Sequence, residues 1–255
     1  MLLTVDIGNT NAGFRVFDGD DIILSFSLAT DTNKLADEYG ITILNLLKNA
    51  NLADKINFAV ISNVVTQLDN VFKEAIEKYL KIEARFVTHK LKMPFEIQID
   101  EPKTLGADRI ANAAAIPDDI KKPVIVIDFG TATTFDILDE NKKFVGGLIA
   151  PGLLIQAKSL ASFTSKLPKI KIEAPKNAIA TNTIDAMMTG IVRGHAKMIE
   201  GMIEECEKEL GQRAVIIATG GLSSVLIDCM ERKFDILDKD LTFKGIKKLY
   251  ELNFK

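Results

Sequence analysis

Two stretches of this chain carry one short pattern, VDIGNT at residues 5–10 and IDFGTAT at residues 127–133. In each, an apolar run ends in an aspartate, which is followed by a glycine two positions later and then by a threonine. The two aspartates, Asp6 and Asp128, lie 122 positions apart, and each stretch opens one half of the chain. Each predicts a buried strand that ends in a tight turn, and the pair predicts a duplicated unit.

The elements that follow the two stretches also repeat. In the first half, residues 13–17 and 22–28 flank a DGD turn, which is a strong hairpin signal. The hairpin is followed by predicted helices and strands in alternation: a helix at about 33–50, a strand at 58–61, a helix at 65–80, a strand around 86–87 and a helix near 106–116. The order is therefore three strands, helix, strand, helix, strand, helix.

The second half repeats this order after a boundary near residues 117–123, where two prolines bracket a charged segment. Its predicted elements are strands at 124–128, 131–138 and 144–149, a helix near 152–163, a strand at 214–218, a helix near 222–231, a strand at 234–237 and a closing helix from about 241. A long helix at about 183–210 interrupts the repeat. Two α/β halves that face each other would create a cleft at the strand ends, where open α/β sheets bind ligands.

Composition excludes several classes of function. The 255 residues include 32 basic and 35 acidic side chains, and a net charge of −3 argues against binding to nucleic acid. Two histidines and two cysteines cannot build a multi-ligand zinc cluster or a disulfide framework. The chain has no run of 18 apolar residues and no signal-peptide pattern, so we expect no membrane partner and a cytoplasmic location.

The repeated stretches suggest phosphate chemistry. Backbone N–H groups in such a turn form an anion-binding nest, and an aspartate such as Asp6 can hold a hydrated Mg²⁺ ion against phosphate. One copy alone is better explained as a strand-ending turn in which the aspartate caps local amides. Two copies in matched positions favour a phosphate clamp. Gly220 and Gly221 follow a predicted strand, and in such a duplicated fold they are candidate nucleoside contacts.

The stretch Gly106-Ala107-Asp108-Arg109 opens a predicted helix. An acid at a helix start is often only a favourable partner of the helix dipole. Because the chain contains six arginines against 26 lysines, an arginine beside this acid is more notable than a lysine would be. In the functional interpretation, Asp108 accepts the proton of a substrate hydroxyl and Arg109 binds an anionic group of the substrate.

The long helix carries a broad apolar face. His195 falls within it, so we interpret this histidine as a packed core or interface residue and not as a catalyst. A row of small residues, Ala186, Gly190 and Gly194, recurs every four positions. Glycine in a helix costs about 1 kcal/mol, and such rows commonly mark close helix approach. The helix therefore predicts a homodimer.

Taken together, these motifs resemble the type III pantothenate kinases, within the acetate and sugar kinase/Hsp70/actin superfamily. The matching residues run along the whole chain: Asp6–Asn11, Gly106–Arg109, Ile127–Thr134, Gly146-Gly147 with Pro151-Gly152, Leu167-Pro168, Asn182-Thr183 and Thr219–Gly221. The resemblance implies an α/β fold of two duplicated ribonuclease H-like (actin-like ATPase) domains, which we place at 1–117 and 118–255, facing a central cleft. It further implies ATP-dependent phosphorylation of the 4′-hydroxyl of pantothenate, the first step of coenzyme A biosynthesis, by a homodimer that uses Mg²⁺ and K⁺ or NH₄⁺.

The resemblance also implies a role for each matching residue. Asp108 matches the general base, Asp128 the ligand of the monovalent cation, and Asp6 a group that positions Mg²⁺ and phosphate. The ATP contacts would be Asp6, Ile7, Gly8, Asn9, Thr10, Asn11, Ala12, Gly13 and Thr131, together with the candidate nucleoside contacts Gly220 and Gly221. The pantothenate contacts would be Phe95, Gly106, Ala107, Asp108, Arg109 and Thr183.

Two positions depart from the family pattern. The usual Gly-Lys/Arg-Asn-Thr before the long helix is Ala180-Thr181-Asn182-Thr183 here, and Phe95 stands where an aromatic residue, often tyrosine, contacts substrate. These changes affect the expected pantothenate pocket and not the phosphate machinery. Two alternatives remain open, a kinase of another small alcohol and a non-catalytic nucleotide-binding accessory protein. The intact Asp6, Asp108 and Asp128 count against the second.

Overall fold

Eleven strands and seven helices build the chain, and the computed structural model describes all of residues 1–255. The strands are β1 (Leu2–Ile7), β2 (Asn11–Asp18), β3 (Asp21–Ala29), β4 (Phe58–Asn63), β5 (Glu83–Phe86), β6 (Glu96–Ile97), β7 (Val124–Phe129), β8 (Ala132–Leu138), β9 (Lys143–Pro151), β10 (Val215–Thr219) and β11 (Ile236–Leu237). The helices are α1 (Ala36–Asn49), α2 (Asp69–Leu80), α3 (Ala107–Ala114), α4 (Leu153–Phe163), α5 (Thr183–Leu210), α6 (Ser223–Leu226) and α7 (Leu241–Asn253).

The strands form two sheets with the same internal order. The first sheet runs β3-β2-β1-β4-β5, and the second runs β9-β8-β7-β10-β11 with β6 added beside β9. In both, the opening strand pairs antiparallel with the hairpin and parallel with the strand on its other side. The duplication predicted from the two Asp-x-Gly stretches is confirmed, and each unit has the ribonuclease H-like order.

The side chains of β1 point alternately to the two faces of the first sheet. Leu3, Val5 and Ile7 are fully buried in the core that also contains Ile43 of α1 and Phe72 of α2. Successive side chains of a strand point to opposite faces, so Thr4 and Asp6 lie on the other face. Helices α3 and α7 pack against each other there, and both contact β4.

The second unit has its own apolar core. Ile125 and Ile127 of β7 and Phe135 of β8 lie against the buried face of α5, which includes Val192 and Ile199. By the same alternation, Asp128 points to the opposite face. Both repeated aspartates therefore lie on the sheet face that is turned away from the larger apolar core.

The predicted domain limits of 1–117 and 118–255 were wrong in two places. The first unit comprises residues 1–95, 100–117 and 241–255, and the second comprises 96–99 and 118–240. Helix α7 belongs to the first unit because Leu241, Phe243 and Ile246 are buried there, and residues 96–99 belong to the second because β6 pairs with β9. Helical spacing shows which face of a helix is apolar but not which sheet that face meets.

Three other predicted elements differ in detail. The helix expected at 65–80 begins at Asp69, after one turn of 3₁₀-helix at Thr66–Leu68. The helix expected at 222–231 is reduced to α6 and a 3₁₀ turn at Ile227–Cys229. The strand expected at 234–237 is limited to Ile236–Leu237. None of the helices is long and apolar enough to cross a membrane.

Close approach of α3 and α7 depends on one glycine, and this gives a first prediction. A Cβ atom at Gly245 would overlap the carbonyl group of Ala111. We expect Gly245→Ala to lower the free energy of unfolding by about 1–3 kcal/mol, because the helices must move apart. Urea unfolding measures this, and Glu251→Ala on the exposed face of α7 is the control, expected within about 1 kcal/mol of wild type. Equal losses in both variants would contradict the prediction.

Candidate active site

The loop after β1 is held in place from β3. The Gly8 amide donates to the carbonyl of Asn11 at 3.0 Å, which closes the turn. The Thr30 hydroxyl donates to the Gly8 carbonyl at 2.7 Å, and the Thr30 amide donates to the Thr10 carbonyl at 3.0 Å. These bonds fix both ends of the loop, so its remaining backbone groups have a defined direction. Thr30 was not predicted; its only signal is a hydroxyl residue at the end of the hairpin strand.

The predicted ATP contacts around this loop differ in their exposure to solvent. Asn9, Thr10 and Asn11 are exposed, whereas Ile7 and Ala12 are buried strand residues that belong to the core. The exposed residues can contact a ligand directly. The two buried residues set the position of the backbone.

Asp6 is oriented by a neighbouring strand. Its Oδ1 atom accepts a hydrogen bond from the Ser62 hydroxyl at 2.8 Å, and the two residues are paired in the parallel register of β1 and β4. Ser62 is fully buried. The sequence interpretation missed Ser62, although a polar residue at the carboxyl end of a parallel strand is the expected signal of a site.

Gly13 has a packing role. It pairs with Asp6 in the β1–β2 register, and a Cβ atom there would lie 2.7 Å from the Cζ atom of Phe243. The Arg15 guanidinium lies over the same Phe243 ring, 4.3 Å from its centroid. The glycine thus lets α7 pack against the sheet next to Asp6.

Asp108 lies in the first turn of α3, at the same edge of the sheet. Its Oδ1 atom accepts from the Arg109 amide at 2.8 Å, and a Cβ atom at Gly106 would lie 2.5 Å from that oxygen. The same hypothetical Cβ atom would lie 3.7 Å from Val64, whose amide donates to the Ile7 carbonyl at the end of β1. The start of α3 therefore lies beside the ends of β1 and β4, where Asp6 is held.

Burial raises the pKa of the Asp108 carboxyl, and the hydrogen bond from the Arg109 amide offsets part of that effect. A carboxylate with a raised pKa is a stronger base than an ordinary aspartate. Ala107 is buried beside it, and Arg109 is partly exposed. This environment suits proton transfer better than it suits a surface helix cap.

Asp128 is surrounded by backbone in the second unit. It is paired with Thr134 and Thr219 in the register of the sheet. A Cβ atom at Gly220 would lie 2.6 Å from Asp128 Oδ1, and one at Gly130 would lie 3.7 Å away. Gly220 has a φ of +89°, a left-handed conformation that favours glycine. Only glycine gives the turn after β10 room to approach this carboxylate.

Thr131 and Gly221 lie in the two turns of this unit. The Thr131 carbonyl accepts from the Gly152 amide at 3.2 Å, and a Cβ atom at Gly152 would overlap that carbonyl oxygen. Gly221 is exposed, and a Cβ atom added there would have no other atom within 4 Å. The turn after β7 is therefore packed tightly, while the turn after β10 is open at Gly221.

The donor sets fit the predicted cations. Mg²⁺ and the alkali cations prefer oxygen ligands, and a carboxylate next to bare backbone or a hydroxyl supplies them. The Asp6 carboxylate lies beside the Ser62 hydroxyl, and the Asp128 carboxylate lies beside the bare backbone of Gly220. No cluster of three or more His, Cys, Asp or Glu residues could hold a metal by itself. A cation in either place would therefore complete its coordination with water or phosphate.

The other predicted substrate contacts lie elsewhere. Phe95 is partly buried immediately before β6. Thr183 is exposed as the first residue of α5, and the Asn182 side chain caps this helix by accepting from the Asp185 amide at 2.9 Å. Ala180 and Thr181 precede the cap. The family-like Asn-Thr pair thus starts the helix, although the preceding glycine and basic residue are absent.

Comparison with known proteins agrees with this geometry. The sequence profile of the type III pantothenate kinases matches residues 2–205. The type III pantothenate kinase of Syntrophus aciditrophicus (strain SB) is 37% identical over 254 residues, which cover 99% of this chain and 100% of the relative. The chain belongs to the type III pantothenate kinase family. The resemblance inferred from the motifs is confirmed, and with it the prediction of an enzyme for ATP-dependent pantothenate phosphorylation in coenzyme A biosynthesis.

More distant structures share the fold. A putative 2-dehydro-3-deoxygalactonokinase from Sinorhizobium meliloti superposes with a TM-score of 0.59 at 11% identity, covering 98% of both chains. A ROK family glucokinase from Streptomyces griseus superposes with a TM-score of 0.55 at 15% identity, covering 98% of this chain and 99% of its own. At these identities the likeness establishes the two ribonuclease H-like units alone.

The support of the first loop by Thr30 gives a second prediction. In Thr30→Val the Gly8 carbonyl loses a hydrogen bond worth about 0.5–1.5 kcal/mol, so we expect the KM for ATP to rise about two- to tenfold. Steady-state kinetics with varied ATP measures this. Thr30→Ser keeps the hydroxyl and is expected to retain the wild-type KM. If both variants matched wild type, the loop would not depend on this bond.

Proposed function

We propose that this type III pantothenate kinase transfers the γ-phosphoryl group of ATP to the 4′-hydroxyl of pantothenate with Asp108 as general base. The observation that carries the assignment is the carboxylate of Asp108, held in the first turn of α3 with a raised pKa. In the reaction the hydroxyl oxygen forms a bond to the γ-phosphorus and gives its proton to Asp108. The bond from the γ-phosphorus to the bridging oxygen breaks, and ADP keeps the electron pair.

The phosphate contacts are assigned to the two Asp-x-Gly turns. Phosphoryl transfer has a loose transition state, so positioning and charge neutralisation supply most of the catalysis. Mg²⁺, when bound, neutralises charge on the phosphate oxygens. Asp6, oriented by Ser62, would position Mg²⁺ through the phosphates, and the fixed backbone of residues 8–10 would donate to phosphate oxygens.

Asp128, Thr131 and Gly220 are assigned to ATP and to K⁺ or NH₄⁺. The Asp128 carboxylate would bind the monovalent cation, and the approach of Gly220 supports this by placing backbone beside it. Thr131 would contact the phosphates, and the open turn at Gly221 would lie against the nucleoside. Gly106, Ala107 and Arg109 would bind pantothenate, together with Phe95 and Thr183.

The activity itself has a direct test. Incubation with pantothenate, MgATP and K⁺ or NH₄⁺ is expected to yield phosphopantothenate, identified by mass spectrometry. Absence of product under both cations would favour a nucleotide-binding accessory protein. Faster ATP consumption with a different small alcohol would favour a kinase of another substrate.

The third prediction concerns the general base. Asp108→Asn is expected to lower kcat by about 10²–10⁴-fold, because the amide cannot accept the proton. Nucleotide binding, measured by calorimetry, should stay at the wild-type level. Exposed Asp119→Asn is the matched control and should keep full activity. Near-wild-type turnover of Asp108→Asn would overturn the assignment.

The raised pKa of Asp108 also predicts a pH dependence. The base must be ionised, so kcat/KM is expected to fall as the pH drops through the raised pKa, at a higher pH than for an ordinary aspartate. A pH–rate profile measures this acid limb. In the residual activity of Asp108→Asn the limb should be absent, and its persistence would assign it to another group.

We further propose a cytoplasmic homodimer. Phe163 is 89% exposed, Ile149 69% and Ile184 51%, all within the second unit. Gly190 and Gly194 are exposed on α5 with nothing within 4 Å of a Cβ position, so their face can accept another helix closely. A second copy of the chain would cover these residues. The two cysteines are free thiols, as in a reducing compartment.

The dimer gives a fifth prediction. Light scattering is expected to report twice the 28.0 kDa chain mass for wild type and a monomer for Phe163→Glu combined with Ile184→Glu, because the charges would be buried. Ile41→Glu, which changes an exposed apolar residue of the first unit, should leave the mass unchanged. A wild-type monomer at micromolar concentration would contradict the proposal.

A further inference from the structure

Helix α5 carries a buried histidine whose two ring nitrogens are both hydrogen-bonded. His195 is 3% exposed, and its Nε2 atom lies 2.9 Å from the Thr133 hydroxyl on β8. Its Nδ1 atom lies 2.9 Å from Nε2 of Gln156 on α4, and the same Gln156 nitrogen donates to the Pro151 carbonyl at 2.8 Å. From this arrangement we infer that His195 is a positioning residue for the ATP-phosphate turn after β7. The inference rests on the proposed contact between Thr131 and ATP.

The hydrogen bonds fix the form of the ring. The Pro151 carbonyl can only accept, so the Gln156 nitrogen that it contacts is the amide donor, and His195 Nδ1 must accept from the same group. The ring proton of the neutral form is then on Nε2 and points to the Thr133 oxygen. Burial lowers the pKa of His195 to about 4, so the ring stays neutral at physiological pH.

The two ends of this chain of hydrogen bonds lie on β8, which follows the turn, and on β9, which pairs with β8. Thr133 pairs with Phe129 of β7, and Pro151 pairs with Ala132 of β8. Between them lies Thr131, whose carbonyl accepts from the Gly152 amide. His195 therefore connects the side chain that starts β8 with the backbone that ends β9.

Tight packing makes the turn sensitive to this connection. A Cβ atom at Gly152 would overlap the Thr131 carbonyl oxygen and would lie 2.7 Å from that of Gly130. With so little space, a small displacement of the end of β9 must move the backbone of Thr131. A packing residue without hydrogen bonds would fill the same volume but would not fix the two strand ends relative to each other.

The test is a pair of variants and their combination. His195→Leu and Thr133→Val each break the bond between helix and strand, and we expect the KM for ATP and the dissociation constant of a non-hydrolysable ATP analogue to rise about fivefold or more. The KM for pantothenate should change less than twofold. The double variant should be no worse than His195→Leu alone, because His195→Leu has already broken the bond that Thr133→Val removes.

Conservative substitutions test for rescue, and a further core variant controls for a general loss of stability. Thr133→Ser keeps the hydroxyl, and His195→Gln keeps an N–H donor toward Thr133, so both should bind the ATP analogue more tightly than their disruptive counterparts. Ile199→Val, one turn further along the buried face of α5, is the control for general loosening of the core. It should lower the unfolding midpoint without changing the KM for ATP.

The outcomes separate the possible failures. If His195→Leu lowers the unfolding midpoint as Ile199→Val does and leaves ATP affinity unchanged, His195 is only a core residue and the inference is wrong. If wild type binds the ATP analogue but does not phosphorylate pantothenate, the proposed function fails, and the affinities of the variants still decide the role of His195. Wild type that does not bind the analogue overturns both.

Discussion

The parallel pairing of each central strand with its neighbour determines where the proposed chemical groups lie. In β1 with β4 and in β7 with β10, the carboxyl ends of two buried strands reach one edge of a sheet. Backbone N–H groups beyond that edge are no longer used by the ladder and become available to a ligand. Asp6 and Asp128 are each placed one or two residues before this point, on the face turned away from the larger core. The site therefore follows from where the sheet ladders end.

Glycine residues allow turns of the chain to approach this edge of the sheet closely. The turns after β7 and β10 lie close to Asp128, and a side chain at Gly220 would meet its carboxylate. A side chain at Gly152 would likewise meet the Thr131 carbonyl. Glycine costs conformational entropy on folding, roughly 0.5–1 kcal/mol relative to alanine in a regular element. Gly220 and Gly152 thus mark the two places in the second unit where the turns pack closely against neighbouring backbone.

Much of this arrangement could be predicted from the sequence because it depends on local patterns. The Asp-x-Gly stretches, the DGD hairpin and the apolar spacing of α5 each need only a few consecutive residues, and the structure has all three. The groups that were missed depend on pairing across the chain. Ser62 contacts Asp6 because of strand register, and Thr30 reaches the Gly8 carbonyl from 22 residues away. Helix α7 was assigned to the wrong unit for the same reason, since its apolar face could cover either sheet.

Burial acts in opposite directions on two groups of this protein, and the difference separates their roles. It raises the pKa of Asp108 and lowers that of His195, because in both it disfavours the charged form. Asp108 binds its proton more tightly in the folded chain than in the unfolded chain, so its ionisation reduces stability as the pH rises above the ordinary aspartate value. The ionised form of Asp108 weakens the fold, and it is the form that the proposed general base requires. His195 is neutral and hydrogen-bonded on both nitrogens, which suits a residue that holds other groups in position.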